Sequence, residues 1–232
     1  MNPLTGVLRE AWDLYKTYAR HFLLISFLLY LVSSVIVAIL AEFVGLTGTL
    51  LSWAVDLFFM FLLQAALVKA VQDVRDGRVD LDLRATLSAA LPYVLPVAAA
   101  SILASIAIAV GFVLIIVPGL ILLTFWSLIV PSIVVGNTPA MASFGRSWRL
   151  VRGYAWHVFV TYVLVFLILV LFQLVLQAIF VTLPAALGSF LSSAVAGTLI
   201  SPFLALVVTL VYYRLSTVRA GEPDPPGPYY AA

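Results

Sequence analysis

Four polar side chains in or next to largely apolar stretches are the residues best suited to chemistry. They are Glu42, Asp56, Gln173 and Gln177. An ionisable residue inside an apolar helix is a functional candidate by default, and Gln173 and Gln177 share a helix face, one turn apart. We expect the four to form an intramembrane polar cluster. A functional Asp56 would be protonated, or it would be hydrogen-bonded to Gln173 or Gln177, or it would hold a transported cation.

A structural interpretation of Asp56 stays open beside the functional one. If its helix begins at Ser52, Asp56 lies in the first turn, where the helix dipole favours a negative charge. Trp53 would then mark the outer interface of the membrane, and water would reach the carboxylate. This interpretation depends on a helix that starts at Ser52.

The remaining residue types speak against catalysis. The chain has no cysteine, which excludes thiolate ligands and cysteine nucleophiles. Its two histidines leave little material for a metal site. An acidic run could suggest a metal site, but an equal number of basic residues balances it, which is typical of a solvated loop. The run consists of Asp73, Asp76, Asp80 and Asp82. Ser189 lacks the sequence context of a nucleophilic serine. We therefore predict a protein that is not an enzyme, with no cofactor and no metal.

Three arginines lie in one segment without an acidic neighbour: Arg146, Arg149 and Arg152. Clusters of basic residues beside a membrane span bind anionic lipid headgroups. Such clusters also act as topology signals without binding any particular lipid. Both interpretations, a lipid-binding site and a topology signal alone, remain open.

Transmembrane helices are the elements that must position these residues. Of the 232 residues, 64% are hydrophobic and 9% are charged, whereas a soluble domain carries about 25% charged residues. The chain is therefore an integral membrane protein, and it is all-α because backbone groups in lipid must pair within their own segment. Six stretches reach or approach the roughly 20 residues that a span needs. They are residues 22–41, 53–71, 93–117, 120–135, 158–183 and 190–215.

The placement of the 12 basic residues predicts the topology. They precede the first span, follow the sixth, and lie between spans two and three and between spans four and five. The three opposite connections contain no Lys or Arg. The positive-inside rule then places both termini in the cytoplasm. The fourth span is short, so residues 93–135 could be re-entrant; we expect a full crossing, because residues 93–117 are long enough to span with tilt.

An internal repeat brings two segments into register. Trp12-Asp13-Leu14 aligns with Trp148-Arg149-Leu150, and His21 aligns with His157 at the same shift. Each copy is amphipathic and precedes two spans, so we predict three helical hairpins, each preceded by a cytoplasmic surface helix. Residues 83–91 would form the third, least similar surface helix. Residues 1–220 then form one membrane domain, and the proline-rich residues 221–232 are expected to be disordered.

The stretch from Val117-Pro118-Gly119 through Pro131 to Phe144-Gly145-Arg146-Ser147-Trp148-Arg149-Leu150 resembles a known family. It is similar to the glycerophosphoryl diester phosphodiesterase membrane-domain family of bacterial multi-helix membrane proteins. There a Pro-Gly turn, an apolar span and an Arg-Ser-Trp-x-Leu segment follow in this order. The phosphodiesterase activity of the family belongs to a separate soluble domain, which we do not expect in this chain. The resemblance implies a stand-alone membrane domain in envelope or lipid physiology of the bacterial inner membrane.

These features predict a non-enzymatic membrane scaffold or accessory protein. We expect it to engage anionic lipid headgroups on the cytoplasmic side, or a partner membrane protein that could be a second copy of this chain. We expect no nucleic-acid partner. The alternative function is a transporter or channel for a small solute or cation, although the predicted hairpins share one orientation, unlike the inverted repeats of many transporters.

Overall fold

The chain folds into helices, as its apolar stretches predict. The computed structural model describes residues 3–43, 45–77, 82–182 and 185–220, and no strand occurs among them. The helices in chain order are α1 Val7–Thr17, α2 Ala19–Phe43, α3 Gly45–Arg75, α4 Leu83–Leu114, α5 Ile116–Phe125, α6 Ile129–Val134, α7 Ala140–Val151, α8 Ala155–Phe180 and α9 Ala185–Arg219.

Six helical segments in the described residues are long and apolar enough to cross a membrane. They are Ala19–Leu40, Thr47–Arg75, Leu83–Leu114, Ile116–Val134, Ala155–Phe180 and Ala194–Arg219. Each predicted span falls on one of them. The protein is therefore a multi-pass helical membrane protein.

The helices α3 and α9 lie at the centre of the bundle. α3 packs against α2, α4, α6 and α9, and α9 also contacts α1, α7 and α8. Small side chains such as Ala65, Ala66 and Ala70 are fully buried on α3, which lets neighbouring helices approach closely. The helix α8 packs mainly on α9 and leaves most of its apolar side chains exposed, as a lipid-facing helix does.

The fourth span is interrupted. α5 ends at Phe125 and α6 begins at Ile129, and residues 126–128 form a turn between them. A single extended residue, Ile115, joins α4 to α5. The predicted turn at residues 117–119 therefore lies inside α5, where Pro118 is tolerated because the first N–H groups of a helix have no intrahelical partner.

Residues 83–91 do not form a separate helix. α4 is continuous from Leu83 to Leu114 and passes through Pro92 and Pro96. The carboxylate of Asp82 caps it by accepting a hydrogen bond of 2.9 Å from the backbone N–H of Arg84. The prediction of a third surface helix is wrong as a separate element, because each proline removes one backbone hydrogen bond without ending the helix.

Several contacts bring the C-terminal ends of α3, α7 and α9 and the helix α1 to the same end of the bundle. The guanidinium of Arg75, at the end of α3, lies 4.1 Å from the centre of an aromatic ring of α9. Arg214 of α9 forms an ion pair of 2.5 Å with Glu10 of α1, and Arg219 donates a hydrogen bond to the carbonyl of Arg152, just after α7. We call this end of the bundle, defined by these five residues, the basic end.

Candidate functional site

Asp56 lies well inside α3 and next to α2. Because α3 begins at Gly45 and not at Ser52, Asp56 lies beyond the first turn, where the helix dipole no longer acts. The dipole interpretation of its charge is therefore wrong. The hydroxyl of Ser33 in α2 donates a hydrogen bond of 2.8 Å to the Asp56 carboxylate. In the described part of the chain no basic side chain forms an ion pair with Asp56, whose side chain is exposed.

The predicted polar cluster divides between two helix pairs. The Gln173 amide in α8 donates a hydrogen bond of 3.1 Å to Ser192 in α9, whereas Asp56 is bonded to Ser33 across α2 and α3. Gln177 is exposed. Glu42 lies in the last turn of α2, and its side chain is outside what the structure describes. Hydrogen bonding thus does not join Asp56 to the two glutamines.

A cavity of about 340 Å³ opens beside Asp56 between α2 and α3. Its polar wall is formed by Tyr30, Ser33, Ser34 and Asp56. The rest of its wall consists of the apolar residues Leu29, Leu57, Phe59, Met60 and Leu63. The cavity therefore combines one carboxylate and several hydroxyls with an apolar surface.

A second cavity of about 320 Å³ adjoins the first one between α2, α3, α9 and the interrupted fourth span. The two cavities share Tyr30, Met60 and Leu63 as lining residues. The polar groups of the second cavity are those of Tyr30, Gln64, Ser127 and Ser201. The hydroxyls of Tyr30 and Ser201 lie 3.3 Å apart and connect α2 to α9.

Sequence reasoning missed most of these lining residues. Asp56, Met60 and Gln64 recur at intervals of one turn, so they share a face of α3, and both cavities lie along that face. That spacing was the available signal. The contributions of Ser127 and Ser201 depend on the packing of α9 against the interruption at residues 126–128, which no pattern in the sequence predicts.

The three arginines near α7 have different surroundings. Arg146 is half-buried and donates hydrogen bonds to the Gly136 carbonyl (3.3 Å) and to the Thr138 hydroxyl (3.1 Å). Arg149 and Arg152 are exposed. The predicted lipid-binding set is thus divided into one arginine that holds the turn before α7 and two that face outward.

Ser147 connects α7 to the interruption of the fourth span. Its hydroxyl donates to the Phe125 carbonyl (2.7 Å) and accepts from the Leu128 N–H (3.1 Å). The indole of Trp148 stacks on Phe125, with ring centres 4.0 Å apart. Broken helices in membranes need such partners for their freed backbone groups. α7 is therefore part of the packed bundle.

The helix α1 makes a comparable contact with α9 near Pro202. The Tyr15 hydroxyl donates a hydrogen bond of 3.2 Å to the Leu199 carbonyl, and the rings of Trp12 and Tyr15 both contact Phe203 edge-on. A proline displaces the carbonyls of the preceding turn, and Tyr15 partners one of them. Burial raises the pKa of Tyr15, so its hydroxyl stays protonated as a donor.

The described residues contain no group of three or more His, Asp or Glu side chains that could hold a metal ion. The chemistry available at the two cavities is hydrogen bonding and the pairing of one carboxylate with a cation. Neither a family model, nor a curated protein, nor a solved structure matches the chain. The resemblance to the phosphodiesterase membrane-domain family stays a prediction.

Proposed function

We propose that the protein is a non-enzymatic membrane scaffold or accessory protein. It engages anionic lipid headgroups, or a partner membrane subunit, at its basic end. The observation that carries the proposal is the exposure of Arg149 and Arg152 next to the exposed indole rings of Trp148 and Trp156. Indole rings favour the membrane interface, and basic side chains beside them attract anionic headgroups.

The basic end faces the cytoplasm in this proposal, and so do both termini. All 12 basic residues of the sequence belong to the segments at that end, and the opposite connections have none. The positive-inside rule relates this asymmetry to a cytoplasmic location of the basic end. Exposed basic side chains also occur on α1 and at the start of α2, namely Arg9, Lys16 and Arg20.

In this proposal the first and last helical hairpins are each preceded by a short amphipathic helix, and these two units are related by duplication. When Trp12 is aligned with Trp148, the start of α2 at Ala19 falls on the start of α8 at Ala155. Both buried positions of α1, Val7 and Ala11, align with buried positions of α7, Ser143 and Ser147. Coincidence of burial and of helix starts supports a common origin of the two units.

Lipid retention tests the proposal. Each exposed arginine near an anionic surface contributes about 1 kcal/mol, so the double variant Arg149→Gln/Arg152→Gln should retain phosphatidylglycerol about thirtyfold less strongly. Native mass spectrometry of the purified protein, titrated with phosphatidylglycerol, measures this difference. We expect the loss to be smaller with phosphatidylcholine, whose headgroup carries no net charge.

The matched control removes two exposed arginines from another part of the basic end. Arg9→Gln/Arg20→Gln changes the net charge equally and should keep most of the lipid retention. Equal retention by wild type and the Arg149/Arg152 variant would leave only the topology-signal interpretation. An equal loss in both double variants would show a diffuse charge effect without a site at α7.

A further inference from the structure

We propose that the two adjoining cavities between α2, α3 and α9 bind an amphiphilic ammonium ion, meaning a molecule with a protonated amine and an apolar body. The amine would pair with Asp56, and the apolar body would lie along the face of α3 toward Gln64. This inference does not depend on the scaffold proposal, because it uses no residue of the basic end. It assigns a ligand class to a part of the bundle that lipid binding at α7 leaves unexplained.

The negative charge of Asp56 favours a cationic ligand. A carboxylate has room for several hydrogen bonds, and in the described residues Asp56 receives one, from Ser33. A carboxylate inside a membrane span is costly unless it is paired. An ammonium group supplies a positive charge and up to three donors, so it complements both the charge and the unused acceptor positions.

The side chain of Gln64 offers a second polar group to a ligand. Its amide lines the second cavity and has no hydrogen-bond partner among the residues that the structure describes. An amide without a partner is unfavourable at membrane depth. The hydroxyls of Tyr30 and Ser201 lie in the same cavity and could share a second polar group of a ligand with Gln64.

The volume and the lining of the two cavities indicate the size and the apolar character of the rest of the ligand. Cavities of about 340 Å³ and 320 Å³ lie within the range that small-molecule sites usually occupy. Most of their surface comes from aliphatic and aromatic side chains, including the shared Met60 and Leu63. Asp56, Leu57 and Met60 are exposed on the outside of the bundle, within the candidate span Thr47–Arg75. A ligand would therefore enter sideways from the bilayer, which requires an apolar body.

Binding of dodecylammonium to the full chain tests the inference. The protein is reconstituted in phosphatidylcholine nanodiscs, and uptake by empty nanodiscs is subtracted. Asp56→Asn should weaken dodecylammonium binding by at least about tenfold, since a charge-assisted hydrogen bond is lost, while binding of the neutral analogue dodecanol should not change. The control Asp13→Asn removes an exposed carboxylate of α1, paired with Lys16, and should leave both affinities unchanged.

A second variant keeps the test valid if Asp56→Asn does not fold. Met60 lines both cavities, so the larger side chain of Met60→Trp would occupy part of their volume. This variant should bind dodecylammonium and dodecanol less strongly, while its helicity, measured by circular dichroism, stays unchanged. Wild-type affinity for dodecylammonium in a folded Asp56→Asn protein would overturn the proposed pairing. Wild-type affinity for both probes in a folded Met60→Trp protein would overturn the site itself.

Discussion

Ser147 shows how one small side chain stabilises an irregular segment at membrane depth. The turn at residues 126–128 interrupts the helical hydrogen bonds of the fourth span. The Ser147 hydroxyl donates to the carbonyl of Phe125, just before that turn, and accepts from the N–H of Leu128 within it. Ser147 is fully buried, so water cannot replace it. Ser147 contributes more to the stability of the folded protein than an exposed serine does. Without it, the Phe125 carbonyl and the Leu128 N–H would lose this buried partner.

Replacing Ser147 by alanine should destabilise the protein by about 1–3 kcal/mol, the range expected when a buried polar group loses its partner. Thermal unfolding in detergent, followed by circular dichroism, measures the effect. Ser88→Ala is the matched control, because Ser88 is exposed and bonds only to a carbonyl of its own helix. Equal melting temperatures for the two variants would show that the turn does not depend on Ser147.

The contacts of the predicted site residues could not be derived from the sequence. Asp56 was identified because a carboxylate in an apolar stretch is unusual, and the structure adds Ser33 as its partner. Ser147 was named only as part of a motif, because a serine next to an arginine gives no sign that it is buried. Arg146 was grouped with Arg149 and Arg152 by charge alone, whereas its contacts depend on how the turn before α7 folds.

The connection between α4 and α5 brings two backbones unusually close. A Cβ atom on Gly111 would lie 3.0 Å from backbone atoms of Gly119, so glycine at position 111 allows the two helices to pack at this distance. Glycine and other small residues permit such contacts between membrane helices. The tight connection through Ile115 depends on this approach.

Gly111→Ala should therefore push α4 and α5 apart and destabilise the protein by about 1–3 kcal/mol, as overpacking does. Gly145→Ala is the control, since its added Cβ would meet Arg149 at an ordinary 3.6 Å in an exposed position of α7. That control should be neutral or stabilising by about 0.5–1 kcal/mol, because alanine favours the helix. Unfolding of each variant in a detergent series measures both effects, and a Gly111→Ala protein as stable as wild type would contradict the prediction.

At the element scale, hydropathy predicted every span, but it did not predict where the helices end. α3 begins at Gly45, ahead of the apolar stretch, because helical residues can extend past the hydrocarbon. α4 continues through Pro92 and Pro96, although proline patterns usually suggest a boundary. Both differences arise because helix ends are set by packing and capping, which a window of apolar residues does not report.

For the whole molecule, the asymmetry of charge is the feature that links sequence, fold and proposed function. Contacts such as the ion pair of Arg214 with Glu10 hold the basic segments together at one end of the bundle. The sequence predicted their common location from charge placement alone. It could not predict that α1 and α7 pack against the bundle through Tyr15 and Ser147, since such contacts join residues far apart in the chain.

Labelling of single cysteines from outside the cell measures the orientation of the basic end in the membrane. The chain has no cysteine, so the single-cysteine variants Asp76→Cys and Thr182→Cys carry one reactive thiol each, in exposed positions beyond opposite helix ends. If the basic end is cytoplasmic, a membrane-impermeant maleimide added to intact cells labels Thr182→Cys, and it labels Asp76→Cys only after permeabilisation. Labelling of Asp76→Cys in intact cells, with Thr182→Cys protected, would contradict the proposed orientation and the lipid-binding function that depends on it.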